Sequence, residues 1–304
     1  MLHKRLIVGT LLILGIIGGA LLDETVDHVR LPRALGDTLD RETFPRGTVV
    51  FIVVVPLSLL AARELAKMLQ RKGIAASSRA SCGAALVGLL VSCLVPESTN
   101  GVEAVALVGT AAAVVLFGSM VFLARRQTVE GIVAATGGTL LAFVYLGLMF
   151  GFLLAIRRHE SAWTVLWVLL VTKSSDIGAY FTGRAIGRHK LIPWLSPGKT
   201  REGSVGGVVV AACVGAAGAW ALRGAGIHDG PTVPVGALAG LIFALVGQSG
   251  DLMASMLKRD VGVKDSGTVL PGMGGLIDVL DSPLLVFPAA YWLLRLTSAP
   301  QVGG

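Results

Sequence analysis

The residues most able to do chemistry sit where the chain is otherwise apolar. Residues 255–282 read SMLKRDVGVKDSGTVLPGMGGLIDVLDS, with two lysines, one arginine and four aspartates around a run of glycines. Asp278 and Asp281 are three apart, so one helical face can present both, and Asp251 lies seven residues before Lys258. Hard carboxylate oxygens in a part-buried, hydrated setting are what Mg²⁺ prefers, usually one or two of them completed by water and a substrate phosphate. The plainer alternative is that Asp278 caps the last apolar segment and that Asp281, before Ser282 and Pro283, opens a helix. Lys258, Arg259 and Lys264, followed by the glycines of 267–275, bring cations and exposed backbone N–H groups to phosphate oxygens. Their spacing matches neither GxxxxGK[ST] nor GxGxxG.

A second stretch, 183–203, reads GRAIGRHKLIPWLSPGKTREG and repeats the theme. It is expected as a loop with a Ser-Pro-Gly turn, carrying Lys199, Thr200, Arg201 and Glu202. An ordinary basic loop at a membrane face is its plainer reading. Lys173 and Asp176 lie inside WVLLVTKSSDIGAYFTG. An ionisable group inside an apolar span costs at least a few kcal/mol without a partner, which marks it as functional by default. A structural ion pair between Lys173 and an aspartate is the alternative.

The elements that must position these groups are membrane helices. Of 304 residues, 54% are hydrophobic and only 15% charged, against roughly 25% charged in a soluble domain. Apolar runs place spans near 6–22, 48–62, 82–95, 102–124, 131–155, 162–182, 204–222, 232–253 and 280–296. The expected fold is therefore all-α, a polytopic bundle of about nine helices. The first span follows His3, Lys4 and Arg5 but lacks a clear cleavage site after Gly18, Gly19 and Ala20, so it reads as a retained helix. With the N-terminus inside, most of the 26 Lys and Arg collect on the cytoplasmic side, including both polar stretches. Arg157 and Arg158 fall on the outer side, against that rule, and the acid-rich loop 23–46 is expected on that side too.

The polar motifs crowd into the second half, which divides the chain into scaffold spans in 1–160 and a catalytic membrane region in 161–304, with cytoplasmic loops 183–203 and 254–278. Cys82, Cys93 and Cys213 sit in apolar stretches without metal or disulfide spacing. The net charge of +7 is dispersed among spans rather than gathered with aromatics, so nucleic acid is not an expected partner and lipid headgroups or phosphorylated substrates are. A secondary transporter would also have many spans, broken glycine-rich helices and midplane charges. It predicts polar groups in both halves, and none is read in the first.

At this point the residues resemble a known family. Ser255, Lys258 and Arg259, then Lys264 and Asp265, then Gly274, Gly275, Asp278 and Asp281 are similar to the phosphatidate cytidylyltransferase signature S-x-x-K-R-x4-K-D, spacer, H-G-G-x-x-D-R-x-D. Asp176, Ala179, Tyr180, Gly183 and Gly187, with Ser196 to Gly203, resemble the family's second region. Met273 stands where the pattern has His, and Val279 where it has Arg. The resemblance implies Mg²⁺-dependent transfer of CMP from CTP to phosphatidate and a homodimer; the charge pattern places the site at the cytoplasmic face, and the short polar N-terminus without an Arg/Ser-rich transit-like segment favours a bacterial inner membrane. The resemblance also implies Asp251 and Asp278 as metal ligands with Asp281 beside them, and Lys258, Arg259 and Lys264 on phosphates. Lys199 and Arg201 would hold the nucleotide, and Ser255, Asp265, Lys173 and Asp176 would line the polar cavity. A CTP-dependent kinase or cytidylyltransferase acting on a polyprenol or ether lipid is the alternative within enzymes.

Overall fold

A computed structural model of the chain describes residues 2–32, 42–94, 101–125, 127, 129–227, 230–272 and 274–297. The described residues are predominantly helical, because a chain this apolar must satisfy its backbone polar groups within each span. In order the helices are α1 (Leu2–Val26), α2 (Thr48–Arg71), α3 (Ser78–Leu94), α4 (Gly101–Ala124) and α5 (Ile132–Leu141). A π-helical stretch (Ala142–Leu148) and α6 (Met149–His159) prolong α5. Then come α7 (Ala162–Ile186), a hairpin of β1 (Lys190–Ile192) and β2 (Ser196–Thr200), α8 (Arg201–Gly224), α9 (Val233–Asp260) and α10 (Ile277–Thr297). Among the described residues seven helices are long and apolar enough to cross a membrane, Ser78–Cys93 is a shorter apolar helix, and α7 carries Lys173 and Asp176. Each of the nine expected spans falls on one of these rods.

Three local differences from the sequence reading have clear causes. The 183–203 segment is not a simple loop: β1 and β2 pair antiparallel, the turn falls at Pro193–Leu195, and Ser196-Pro-Gly begins β2. In a two-stranded ribbon every strand is an edge, so Pro197 costs no ladder bond. Lys258 and Arg259 are not in a loop either; α9 continues to Asp260 because no breaker precedes Gly262. There the N–H of Gly262 donates to Arg259 O (3.0 Å) and that of Val263 to Lys258 O (2.9 Å), a Schellman end with Gly262 at φ 74°. Finally, α10 starts at Ile277, ahead of both Asp278 and Asp281, so Asp281 does not open a helix.

The described residues form two compact units. One is built from Met1–Val8, Phe51–Ala155 and Ala254–Leu280. Here Phe143 of the π-helical stretch packs with Ala84, Val91, Ala111 and Val115 in a common core. Ser58 Oγ donates to Leu146 O (2.8 Å) in this stretch, where a wide turn disturbs the helix ladder.

The other unit is built from Gly9–Val50, Ile156–Met253 and the residues from Asp281 on. Its α8 and α9 cross at backbone contact: a Cβ on Gly240 would lie 2.1 Å from Ala211 O, and one on Gly215 equally close to Gly236 O. Small residues allow such an approach between membrane helices. Trp167 of α7 donates from Nε1 to Gly215 O (3.1 Å) and meets Phe243 edge to face. At one end of this unit Arg157 is 1% exposed and paired with Asp23 and Asp27, both at 2.5 Å. Asp23 also accepts the N–H groups of Val49 and Val50, and Glu24 that of Ala162. The basic residue that broke the charge rule is thus neutralised by the acids of the segment expected on its own side.

Candidate active site

In the first unit the signature residues fold around one carboxylate. Asp278, in the first turn of α10, places Oδ1 2.6 Å from Lys258 Nζ, with side-chain exposures of 9% and 11%. Its Oδ2 accepts three hydrogen bonds, from Ser266 N (2.8 Å), Ser266 Oγ (2.9 Å) and Gly275 N (2.9 Å). Such a carboxylate is held by one cation, by the Ser266 hydroxyl and by the Ser266 and Gly275 amides of the loop before its helix. Gly272 and Gly274 take positive φ (82° and 95°) and let the loop fold back, with Leu270 and Gly274 bridged. A Cβ on Gly274 would lie 2.5 Å from Asp278 Oδ2, and one on Gly275 would strike Glu64 and Ser266. The paired glycines therefore serve two separate close approaches.

Glu64, on α2, completes this cluster and went unread in the sequence. It accepts N–H bonds from Leu276 (2.8 Å) and Ile277 (3.3 Å) and the hydroxyl of Ser266. An acid inside the apolar run LLAARELAKML was the available signal. The first half of the chain is consequently not free of buried polar groups. Arg259 turns to Val263 O (3.2 Å), and Lys264 and Asp265 are exposed. Met273 lies outside the described residues, and Val279 is half-buried on α10.

In the second unit Asp251 receives Lys199 Nζ at 2.5 Å, each side chain a little over a quarter exposed. Local structure explains the meeting. Thr200 caps α8, accepting Gly203 N (3.1 Å), and Glu202 accepts the N–H groups of Arg188 and His189 and the His189 ring (2.5 Å). Lys199 is thereby fixed at the root of the hairpin. On the α9 side, Gln248 donates to Ser175 Oγ (3.3 Å) and Ser204 O (3.1 Å), tying three helices together one turn before Asp251. Arg201 is exposed at the start of α8, and Ser255 is half-buried on α9, four residues after Asp251. Lys173 and Asp176 make the expected i,i+3 pair at 3.4 Å, both about 40% exposed. Asp281 is buried, and its Oδ1 accepts Ser282 N (2.7 Å) and Oγ (3.2 Å).

Among the described residues no three His, Cys, Asp or Glu side chains gather into a metal-holding group. The donor chemistry nonetheless fits Mg²⁺, which takes one or two carboxylates and fills its shell with water and phosphate. Asp251 and Asp278 each carry one oxygen engaged by a lysine ammonium, a partner that a divalent ion can displace.

These features define a polytopic helical membrane protein in which lysine-held carboxylates adjoin cationic loops. Its sequence matches the cytidylyltransferase family model over residues 43–297, and the chain belongs to that family. Among similar proteins is a phosphatidate cytidylyltransferase of Staphylococcus aureus (strain COL), 32% identical over 82% of this chain and 90% of its own length. One of Bacillus subtilis (strain 168) is 39% identical over 52% of this chain and 58% of its own. The uncharacterized protein YnbB of Escherichia coli (strain K12) is 40% identical over 43% and 42%. The chain thus spans about half the length of the last two and nearly all of the first.

Proposed function

We propose that the chain transfers CMP from CTP to phosphatidate, giving CDP-diacylglycerol and pyrophosphate. A phosphatidate phosphate oxygen attacks the α-phosphorus of CTP in line, the bond from that phosphorus to the bridging oxygen of the β-phosphate breaks, and pyrophosphate leaves. The nucleophile is already an anion, so no serine or cysteine is required and neutralisation with positioning dominates. Bound Mg²⁺ would supply charge neutralisation at the phosphates. Asp251 and Asp278 would hold it, with Asp281 assigned as a further acid. Lys258 and Lys199, released from their carboxylates, would turn to phosphate oxygens, joined by Arg259, Lys264 and Arg201. Ser255, Asp265, Lys173 and Asp176 are assigned to the polar lining. The site is assigned to the cytoplasmic face, where CTP is available.

The observation that carries this reading is the pairing of each signature acid with a lysine, Asp251 with Lys199 and Asp278 with Lys258. The S. aureus and B. subtilis relatives named for the same reaction support the acceptor. The test is incorporation of labelled CTP into lipid by purified protein in detergent with phosphatidate and Mg²⁺. Wild type should form CDP-lipid, and Asp251→Asn should lose on the order of a hundredfold, the scale of one lost electrostatic contact to the transition state. Met273→His should leave product formation in place. Product from Met273→His but not from wild type would mark a chain that has lost the reaction; absence from both would redirect the search to other lipid acceptors.

A further inference from the structure

Glu64 has no role in the reading above, yet it is one of the most enclosed charged groups in the molecule, with 5% exposure. Burying a carboxylate is costly unless it is paired or fully hydrogen-bonded. Among the described residues no Lys or Arg forms an ion pair with it; its compensation is the Leu276 and Ile277 amides and the Ser266 hydroxyl. These amides belong to the start of α10, where the helix presents unsatisfied donors and a partial positive charge. A helix on the far side of the sequence, 212 residues from Leu276, thus caps α10.

A purely structural cap would explain that much. The further observation is that Glu64 and Asp278 share their supports. Ser266 Oγ lies within hydrogen-bond reach of both carboxylates, and a serine hydroxyl carries one proton, which it can donate to only one of them at a time. Gly275 donates its N–H to Asp278, and any side chain on it would begin 1.9 Å from Glu64 Oε1 and 2.3 Å from Ser266 Oγ. Gly267, next to Ser266, also abuts Glu64: a Cβ there would lie 2.9 Å from its carboxyl carbon. Glu64 therefore sets where Ser266 and the 274–277 turn lie, and those groups in turn engage Asp278 Oδ2 and leave Oδ1 to Lys258.

We propose that Glu64 is a positioning residue for Asp278, fixing through Ser266 and the turn before α10 which carboxylate oxygen remains available. The part of this that concerns a divalent cation rests on the function proposed above. Partners that orient a metal-binding group typically matter by about 10- to 100-fold in metal affinity or activity. In Glu64→Gln the side-chain NH₂ must face the N–H of Leu276 or of Ile277, so one of these contacts is lost at unchanged size.

The experiment compares wild type, Glu64→Gln, Ser266→Ala and the double variant in detergent. Hydrogen exchange is followed at the amides of 266–278 and, as a reference, of the hairpin 190–200. Mn²⁺ binding is followed by electron paramagnetic resonance, and the Mg²⁺ dependence of CMP transfer by initial rates. Glu64→Gln should speed exchange in 266–278 alone, weaken Mn²⁺ binding about tenfold and raise the Mg²⁺ needed for half-maximal rate by a similar factor. Adding Ser266→Ala should then change little, since both act along one route. Unchanged exchange at 266–278, or accelerated exchange spread equally to the hairpin, would overturn the proposal in favour of no role or a general structural one. If wild type fails to form CDP-lipid, the functional reading falls while exchange still decides the role of Glu64.

Discussion

Asp278 and Asp251 have the same chemistry and different surroundings, and this separates their expected mutant behaviour. Asp278 is nearly enclosed with Lys258 and holds three further donors. Replacing it by Asn leaves an ammonium without its counter-charge and sets an NH₂ against existing donors. Asp278→Asn should therefore lose about 3–5 kcal/mol of stability, the range for a broken buried pair, visible as a lower thermal midpoint in detergent as well as lost turnover. Asp251 and Lys199 are more open to water, so Asp251→Asn should change stability by under about 1 kcal/mol and register in turnover alone. The acids and lysines themselves were legible from their type and spacing. Who pairs with whom was not, because Lys199 reaches Asp251 across 52 residues through a hairpin and a three-helix polar tie that hydropathy does not encode. Glu64 was missed for a related reason: it sits in a span whose other residues read as plain scaffold.

At the scale of elements, the spans were readable because bilayer thickness demands long apolar runs, while their ends were not. The extra turns of α9 beyond 253 carry Lys258 toward Asp278, and they exist because the chain lacks a breaker until Gly262. The close crossing of α8 and α9 makes a contrasting pair of substitutions. Gly240→Val must push against the Ala211 carbonyl and should cost about 1–3 kcal/mol, the range for overpacking, measured by thermal unfolding in detergent. Gly109→Ala, in α4, where a Cβ would meet nothing within 4 Å, should lose no stability. The hairpin is likewise an element with a job: His189, Glu202 and Thr200 hold it to the first turn of α8. Glu202→Gln should loosen that hold, raising hydrogen exchange at 188–200 while leaving 266–278 unchanged.

At the scale of the whole chain, charge placement gives the topology its internal consistency. Lys72 and Asp260, both expected inside, form an ion pair, and Arg157 meets the acids expected outside with it. Cysteine placed at His28 and at Lys190, in a background lacking the native cysteines, should react with impermeant reagents from opposite membrane faces, the second from the cytoplasm. Arg157→Ala would strand the wholly buried Asp23 beside Asp27 and should cost about 3–5 kcal/mol, with Arg157→Ala plus Asp23→Asn recovering part of it in the same unfolding assay.

That cluster also has a consequence in time. Asp23 leaves the ribosome 134 residues before Arg157, an interval of about 7–27 seconds at ordinary synthesis rates. Throughout it, Asp23 can meet the Val49 and Val50 amides but not the guanidinium that neutralises it, which is made only after more than half of the chain.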